Sequence, residues 1–300
     1  MNGAKRKRRF WPAAVCVAGL LAVWLVSGCG RGEPTFVVAL KPDRDPDAML
    51  EEQRTLGAFL REEVDRRVNV IVPMSGAVIH EGLANGTIDI SFVSSTDAVR
   101  AMDAGVGEVL LASEINGRPY YESYWITLRE KTYFDVEDLR GQPIAFSSRT
   151  STSGMQVPVW DLVKRGLLRP DQSPEAFFGE GNVFYGTGYV SAARRVLDGQ
   201  AEAAAVSYYV LDKDKHLSED ERERLRKVVS QGPVPTHVLV VRATLPEEDK
   251  ALLRDAFKAM NDGAEELRDT LFTGPLVEVD PVEHLAPTRE VMNLIREMPL

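Results

Sequence analysis

Cysteine and histidine are scarce in this chain. Its 300 residues include two cysteines, Cys16 and Cys29, and four histidines, His80, His216, His237 and His284. The histidines are scattered, with no His-Glu-x-x-His and no other zinc-ligand spacing, so no metal is expected. A Gly-x-Ser-x-Gly elbow, a Ser-x-x-Lys pair and a phosphate loop ending in Gly-Lys-Ser/Thr are also missing. Catalysis thus lacks a legible apparatus, and no cofactor is implied. No internal period of about 20–50 residues is present, which excludes a solenoid. Hydrophobic residues make up 44% and charged residues 27%, a balance that excludes disorder and collagen-like repeats. The length implies one large or two modest domains.

Acidic residues are absent before Glu33, whereas Lys5, Arg6, Lys7, Arg8 and Arg9 are all basic. An apolar run over residues 10–26 follows at once. A basic start, an apolar stretch and then small residues make the pattern of an export signal. Its last residues, Leu25-Val26-Ser27-Gly28-Cys29, resemble the lipobox of bacterial lipoproteins, in which a cysteine after small residues is acylated and becomes the new N-terminus. The expectation is a signal peptide over 1–28, a lipid on Cys29 and a short tether over 29–34. An uncleaved transmembrane anchor is the alternative, since the run is only slightly short of a span. An anchor, however, needs no Ser-Gly-Cys at its end. Cleavage removes the five basic residues and takes the formal charge from −9 to −14. It also removes Cys16 and commits Cys29 to lipid, which leaves no disulfide and no cysteine metal cluster. A body this acidic is unsuited to nucleic acid, which demands a basic footprint.

Strand and helix signals alternate along the rest of the chain. The compact apolar run at 36–40 suits a buried strand. Met49, Leu50, Leu56, Phe59, Leu60 and Val64 fall at spacings of three and four, the mark of an amphipathic helix. A β-branched strand at 68–72 leads to Ser75-Gly76-Ala77 and a helix ending near Asn85-Gly86. The next strand covers 88–93, and Ser94-Ser95-Thr96-Asp97 opens another helix. Further on, 124–128 and 144–146 read as strands on either side of a helical turn at 134–141. Ser151-Thr152-Ser153-Gly154 leads into a helix through Val163. A helix from near Gly188 to Asp198-Gly199 and strands at 203–206 and 238–241 follow. The charge run at 213–227 reads as a solvated helix face. The alternation predicts an α/β fold with a largely parallel sheet.

Several of these strands run into small or hydroxyl residues that start the next helix: Ser75-Gly76, Ser94-Ser95-Thr96, Ser151-Thr152-Ser153-Gly154 and Gly186-Thr187-Gly188. In open α/β sheets, ligands bind outside the carboxyl ends of the strands. A helix N-terminus there offers unpaired N–H groups and about half a positive charge. Serine and threonine hydroxyls add donors, and glycine permits close backbone approach. Several such ends facing one crevice would bind a small oxyanion. Any one of them also reads as an ordinary N-cap. The segment at 151–154 is different, because three hydroxyl residues and a glycine in a row exceed what one cap requires.

Ser151-Thr152-Ser153-Gly154-Met155-Gln156-Val157-Pro158 resembles the Ser-Thr-Ser-Gly-x-x-x-Pro segment of the phosphate/phosphite/phosphonate-binding proteins of ABC transporters. Asp138-Leu139-Arg140-Gly141-Gln142-Pro143-Ile144-Ala145-Phe146 is similar to the Asp-Leu-x-Gly-Lys-x-x-Ala-Phe run before it in that family. Leu197-Asp198-Gly199-Gln200-Ala201-Glu202-Ala203-Ala204-Ala205-Val206 resembles a later strand entry, and Gly232-Pro233-Val234-Pro235 its return to the first lobe. The likeness extends from Phe36 to about Met298. It implies an α/β, two-lobed type II periplasmic binding protein with a two-strand hinge. Lobe one would comprise 35–122 plus 238–300, and lobe two 127–231. It also implies that Ser151, Thr152 and Ser153 grip phosphoryl oxygens, with Gly154, Ser75, Gly76, Ser94, Ser95, Thr187, Gly188, Tyr189 and Ser207 around the ligand.

Departures from the family pattern bear on the ligand. Tyr189 and Val190 stand where the family usually has a His, often followed by an acid. Gly76 and Val93 stand where aminophosphonate binders have aromatic residues, and Ser207 stands where many relatives have an acid. A buried ammonium without a carboxylate partner is costly, so these changes argue against an aminoalkylphosphonate and for a smaller or less charged ligand. Arg149 could add charge to the site or sit exposed on a loop. Arg118 and Lys41 read as loop decoration, and Tyr189, Tyr208 and Tyr209 as residues that could line the cleft. Among the histidines only His237, at the hinge, invites attention as a base. The expected function is capture of a small oxyanion, phosphite, phosphate or a phosphonate, by a monomeric lipoprotein of the cell envelope. The partner would be an inner-membrane ABC permease. A ligand sensor of the same fold and a serine hydrolase using Ser151 or Ser153 are the alternatives.

Overall fold

The structure, a computed structural model, describes residues 35–41, 49–213 and 217–300. The expected signal peptide, Cys29, the tether and His216 lie outside the described residues. In chain order, β1 (Thr35–Ala39), α1 (Leu50–Val64), β2 (Arg67–Ile71), α2 (Gly76–Asn85), β3 (Ile90–Val93), α3 (Ser95–Asp103) and β4 (Gly107–Ser113) come first. A second group follows: β5 (Tyr120–Leu128), β6 (Ile144–Phe146), α4 (Val157–Lys164), α5 (Glu175–Phe178), β7 (Val183–Tyr185), α6 (Tyr189–Leu197), β8 (Ala203–Ser207), α7 (Tyr209–Asp212), α8 (Glu219–Glu223) and β9 (Leu225–Pro235). The chain returns through β10 (Val238–Arg242), α9 (Glu247–Gly263), α10 (Glu265–Phe272) and β11 (Leu276–Val277), and ends on α11 (Pro281–Arg296).

These strands sort into two sheets, one per lobe. The first has the order β2-β1-β3-β10-β4-β11 and the second β9-β5-β8-β6-β7. The sheets are mixed, not largely parallel as the alternation suggested. β1 is parallel to β2 and β3, and β6 to β7 and β8, each pair joined through an intervening helix. β10 runs antiparallel between β3 and β4, and β5 antiparallel to β8 and β9. The cause is connectivity: strands that carry the chain between the lobes have no helical crossover to reset their direction.

Helices cover both faces of each sheet, which is why the central strands read as continuous apolar runs. On the first sheet, Leu56 and Leu60 of α1 pack with Phe257 and Phe272 on one face, and Ile79, Leu83 and Val99 on the other. On the second, Ala192, Ala193 and Val196 of α6 cover one face. Trp125, Phe177, Phe178 and Leu162 fill the other. Ala203-Ala204-Ala205 has little intrinsic strand preference, yet all three are fully buried in β8. Their small side chains let the layers on both faces come close. The charge run at 213–227 is not one helix. α8 spans only Glu219–Glu223, and Leu225 already belongs to β9 and is buried.

Two connections join the lobes, residues 114–119 and Thr236-His237. They are tied together, since Thr236 N–H and its hydroxyl both donate to Pro119 O, at 3.1 and 3.0 Å, and Ser113 N–H donates to His237 O at 3.0 Å. The first crossing comes earlier than the boundary drawn at 122–127, because Tyr120 already pairs with Pro235 in the second sheet. α11, assigned from sequence to lobe one, packs on both. Leu285 joins the first-sheet core, whereas Val291, Ile295 and Met298 join the second. Burial holds the imidazole of His284, beside these connections on α11, below its usual pKa. No helix among the described residues is long and apolar enough to cross a membrane.

Candidate functional site

A cleft of about 890 Å³ opens between the lobes at the carboxyl ends of their strands. Four helix starts border it. From lobe one come Ser75-Gly76-Ala77 at the head of α2 and Ser94 at the head of α3; from lobe two come Ser151-Thr152 before α4 and Thr187-Gly188 at the head of α6. Each start is shaped by a side chain that satisfies some backbone donors and leaves others open. Val78 N–H donates to Ser75 Oγ at 3.4 Å, and Asp97 N–H to Ser94 Oγ at 3.2 Å. At α6 the cap is Ser191, whose Oγ accepts from Thr187 and Gly188 N–H.

The segment singled out in the sequence forms a π-helical turn, Thr152–Gln156, ahead of α4. Ser151 Oγ accepts from Gly154 N–H at 3.0 Å, and Gln156 N–H reaches back to Ser151 O. The N–H groups of Thr152 and Ser153 meet no acceptor among the described residues. The turn is bolted to the sheet beneath it. Ser123 Oγ donates to Ser153 O at 2.6 Å, and Ser147 N–H to Gly154 O at 3.0 Å. Across the cleft floor, Thr96 Oγ1 from α3 lies 2.7 Å from Thr152 Oγ1 and donates to Gln156 Oε1 at 3.0 Å. The turn and the facing lobe thus share a hydroxyl contact.

Eight of the residues expected at the site line this cleft: Ser75, Gly76, Ser94, Ser151, Thr152, Thr187, Gly188 and Tyr189. The other four are not brought to its surface. Ser153 is fully buried, its Oγ held between Tyr121 Oη at 3.2 Å and Tyr189 Oη at 2.7 Å. Gly154 lies against Ser147, Ser95 is buried at the first turn of α3, and Ser207 is buried on the floor of β8. Arg149 stacks on Tyr185, with Cζ 3.9 Å from the ring centroid, and is absent from the lining. Lys41, read as decoration, does line the cleft, with His80, Arg100, Tyr121, Tyr209 and His237. Position was the missed signal for Lys41, since it directly follows the carboxyl end of β1.

Gly76 and Val93 both line the cleft. Among the described residues only one carboxylate, Asp97, lines the cleft, and it is engaged by Ser94 and Arg100. Burial raises the pKa of Tyr121 well above the usual phenol value and pushes Tyr208 up to about 12, with Asp212 adding to the latter shift. Both hydroxyls therefore keep their protons; Tyr121 Oη donates to Ser153 Oγ, whereas Tyr208 Oη is buried with no partner among the described residues. Among the described residues no group of three or more His, Cys, Asp and Glu side chains could hold a metal ion.

Gly154 is required by close approach, because a Cβ there would stand 2.3 Å from Ser147 Oγ and 2.4 Å from Ser147 Cβ. Gly154→Ala should cost about 1–3 kcal/mol by overpacking, read as a lower Tm. Adding Ser147→Gly should recover most of it. An unchanged Tm in the single variant would show that the turn is not seated this tightly.

Known proteins were compared with this geometry. The family described as ABC transporter, phosphonate, periplasmic substrate-binding protein matches residues 38–283. Among solved structures, a binding protein component of an ABC phosphonate transporter from Pseudomonas aeruginosa aligns with TM-score 0.74 and 18% identity, over 88% of this chain and 87% of the other. PhnD1 from Prochlorococcus marinus, in complex with methylphosphonate, aligns with TM-score 0.73 and 14% identity, over 88% and 98%. A Xanthomonas citri protein, XAC2383, bound to chloride ion, aligns with TM-score 0.70 and 21% identity, over 88% and 96%. At these identities the structures speak for the two-lobed fold, and the family match covers most of the chain. The chain belongs to the periplasmic substrate-binding proteins of ABC phosphonate transporters.

Proposed function

We propose that this protein captures a phosphorus oxyanion, whether phosphite, phosphate or the head of a phosphonate, and hands it to an inner-membrane ABC permease. The observation that carries the reading is the turn at Ser151–Thr152. Ser151 and Thr152, the latter with an N–H that meets no acceptor among the described residues, line a cleft bordered by three further helix starts. Such donors suit an oxyanion because they need no reorganisation when it arrives. Affinity comes from these fixed donors and release from opening at the two-strand hinge, a motion of the repertoire of binding proteins. The hydrolase alternative draws no support from the serines: Ser151 Oγ caps the turn, and Ser153 Oγ is held by two tyrosines. Anchorage through a lipid on Cys29 completes the proposal and keeps the protein beside its permease. A palmitate analogue should label the wild type and not Cys29→Ser, and labelling of both would remove the anchor from the account.

A thermal-shift screen tests the ligand. A phosphorus oxyanion at a hundred times its Kd stabilises by about 2.7 kcal/mol, roughly 5–10 °C for a chain of this size. Phosphite, phosphate or methylphosphonate should produce such a shift, and Ser151→Ala with Thr152→Val should abolish it. Shifts with sulfate or acetate alone, or a shift that survives the double substitution, would refute the reading.

A further inference from the structure

The cleft is larger than its Ser-Thr turn requires. At about 890 Å³ it falls in the range that takes organic ligands, whereas a lone oxyanion fills only the space before the turn. Its charge is lopsided as well. Among the described residues the charged groups that line it are Lys41 and Arg100 against the single carboxylate of Asp97. Asp97 is committed, because Oδ2 accepts the Ser94 hydroxyl at 2.7 Å and Oδ1 the Arg100 Nη1 at 3.4 Å. No carboxylate among the described residues forms a salt bridge with Lys41. Its Nζ instead lies 3.2 Å from His237 Nε2. An ammonium can only donate, so this contact leaves its positive charge in place.

Lys41 also stands on the lobe opposite the turn. Lys41 and His237 sit where the cleft opens into a narrow side pocket walled by Leu40, Met49, Phe92, Ile115 and Leu271. Tyr121 and Tyr209 line both spaces. A molecule whose phosphorus group sits at Thr152 and whose other end reaches Lys41 would therefore lie along tyrosine rings and touch both lobes.

We propose, building on the oxyanion reading above, that Lys41 selects ligands with a second acidic group. The preferred class is carboxylated organophosphonates, with the phosphorus group at Ser151–Thr152 on lobe two and the carboxylate at Lys41 on lobe one. An ammonium in the same place would face Lys41 with no uncommitted carboxylate among the described residues of the lining, a costly burial.

Calorimetric titration of the whole protein tests this with three ligands that share a two-methylene stem on phosphorus: 3-phosphonopropionate, propylphosphonate and 2-aminoethylphosphonate. Phosphonopropionate should bind about tenfold more tightly than propylphosphonate, and aminoethylphosphonate more weakly than either. In Lys41→Gln the ratio between the first two should fall to near one, and Lys41→Arg should retain most of it. A ratio that Lys41→Gln does not move, or a wild-type preference for the amine, overturns the assignment. Absence of binding by all three, with phosphite or phosphate still bound, overturns it while sparing the oxyanion reading. Silence toward every phosphorus oxyanion removes both.

Discussion

Everything at the cleft depends on how the turn at Ser151–Gly154 is fixed to the second sheet. Ser123 holds the Ser153 carbonyl, and Ser147 holds the Gly154 carbonyl. With its carbonyls tied down to the sheet, the turn presents the N–H groups of Thr152 and Ser153 without partners. Such orphan donors are tolerated at a helix start and become costly only when buried without acceptor or water. Gly154 permits the close seating, and the small residues of β8 permit the layer beneath. The donor geometry is thus a consequence of packing in the core of its own lobe.

The second lobe matters because it brings its own helix starts to the same space. Thr96 meets Thr152 directly, so a residue that lines the cleft also registers the position of the other lobe. The acidic composition of the chain does not oppose anion capture. Charges beyond about 8–10 Å are screened at physiological salt, whereas the cleft lining among the described residues carries Lys41, Arg100 and several hydroxyls against one committed carboxylate.

Much of this was legible in the sequence, and the parts that were not share a physical cause. Apolar periodicity located β1, α1, β2, α2 and β3 within a residue or two, because each buries a face or a whole run against neighbours of the same lobe. Three hydroxyls and a glycine in a row located the turn. Depth was illegible. Ser151 and Thr152 face the cleft while Ser153 and Gly154 face the sheet, a division set by the phase of a π-helical turn that no spacing rule anticipates. The burial of Ser95 and Ser207 was illegible for the same reason, since the rotation of α3 and the pleat of β8 turn them inward. Strand direction was illegible too, because it follows from where the chain crosses between lobes. Lys41 was passed over because its meaning depends on a cleft partner, His237, nearly two hundred positions away.

Amide hydrogen exchange with and without methylphosphonate tests the central claim most directly. Bound ligand should protect the amides of residues 152–153, with weaker protection at the heads of α2 and α6, and leave the outer faces of both lobes unchanged. Protection confined to some other surface, or none at 152–153 under saturating ligand, would contradict the account.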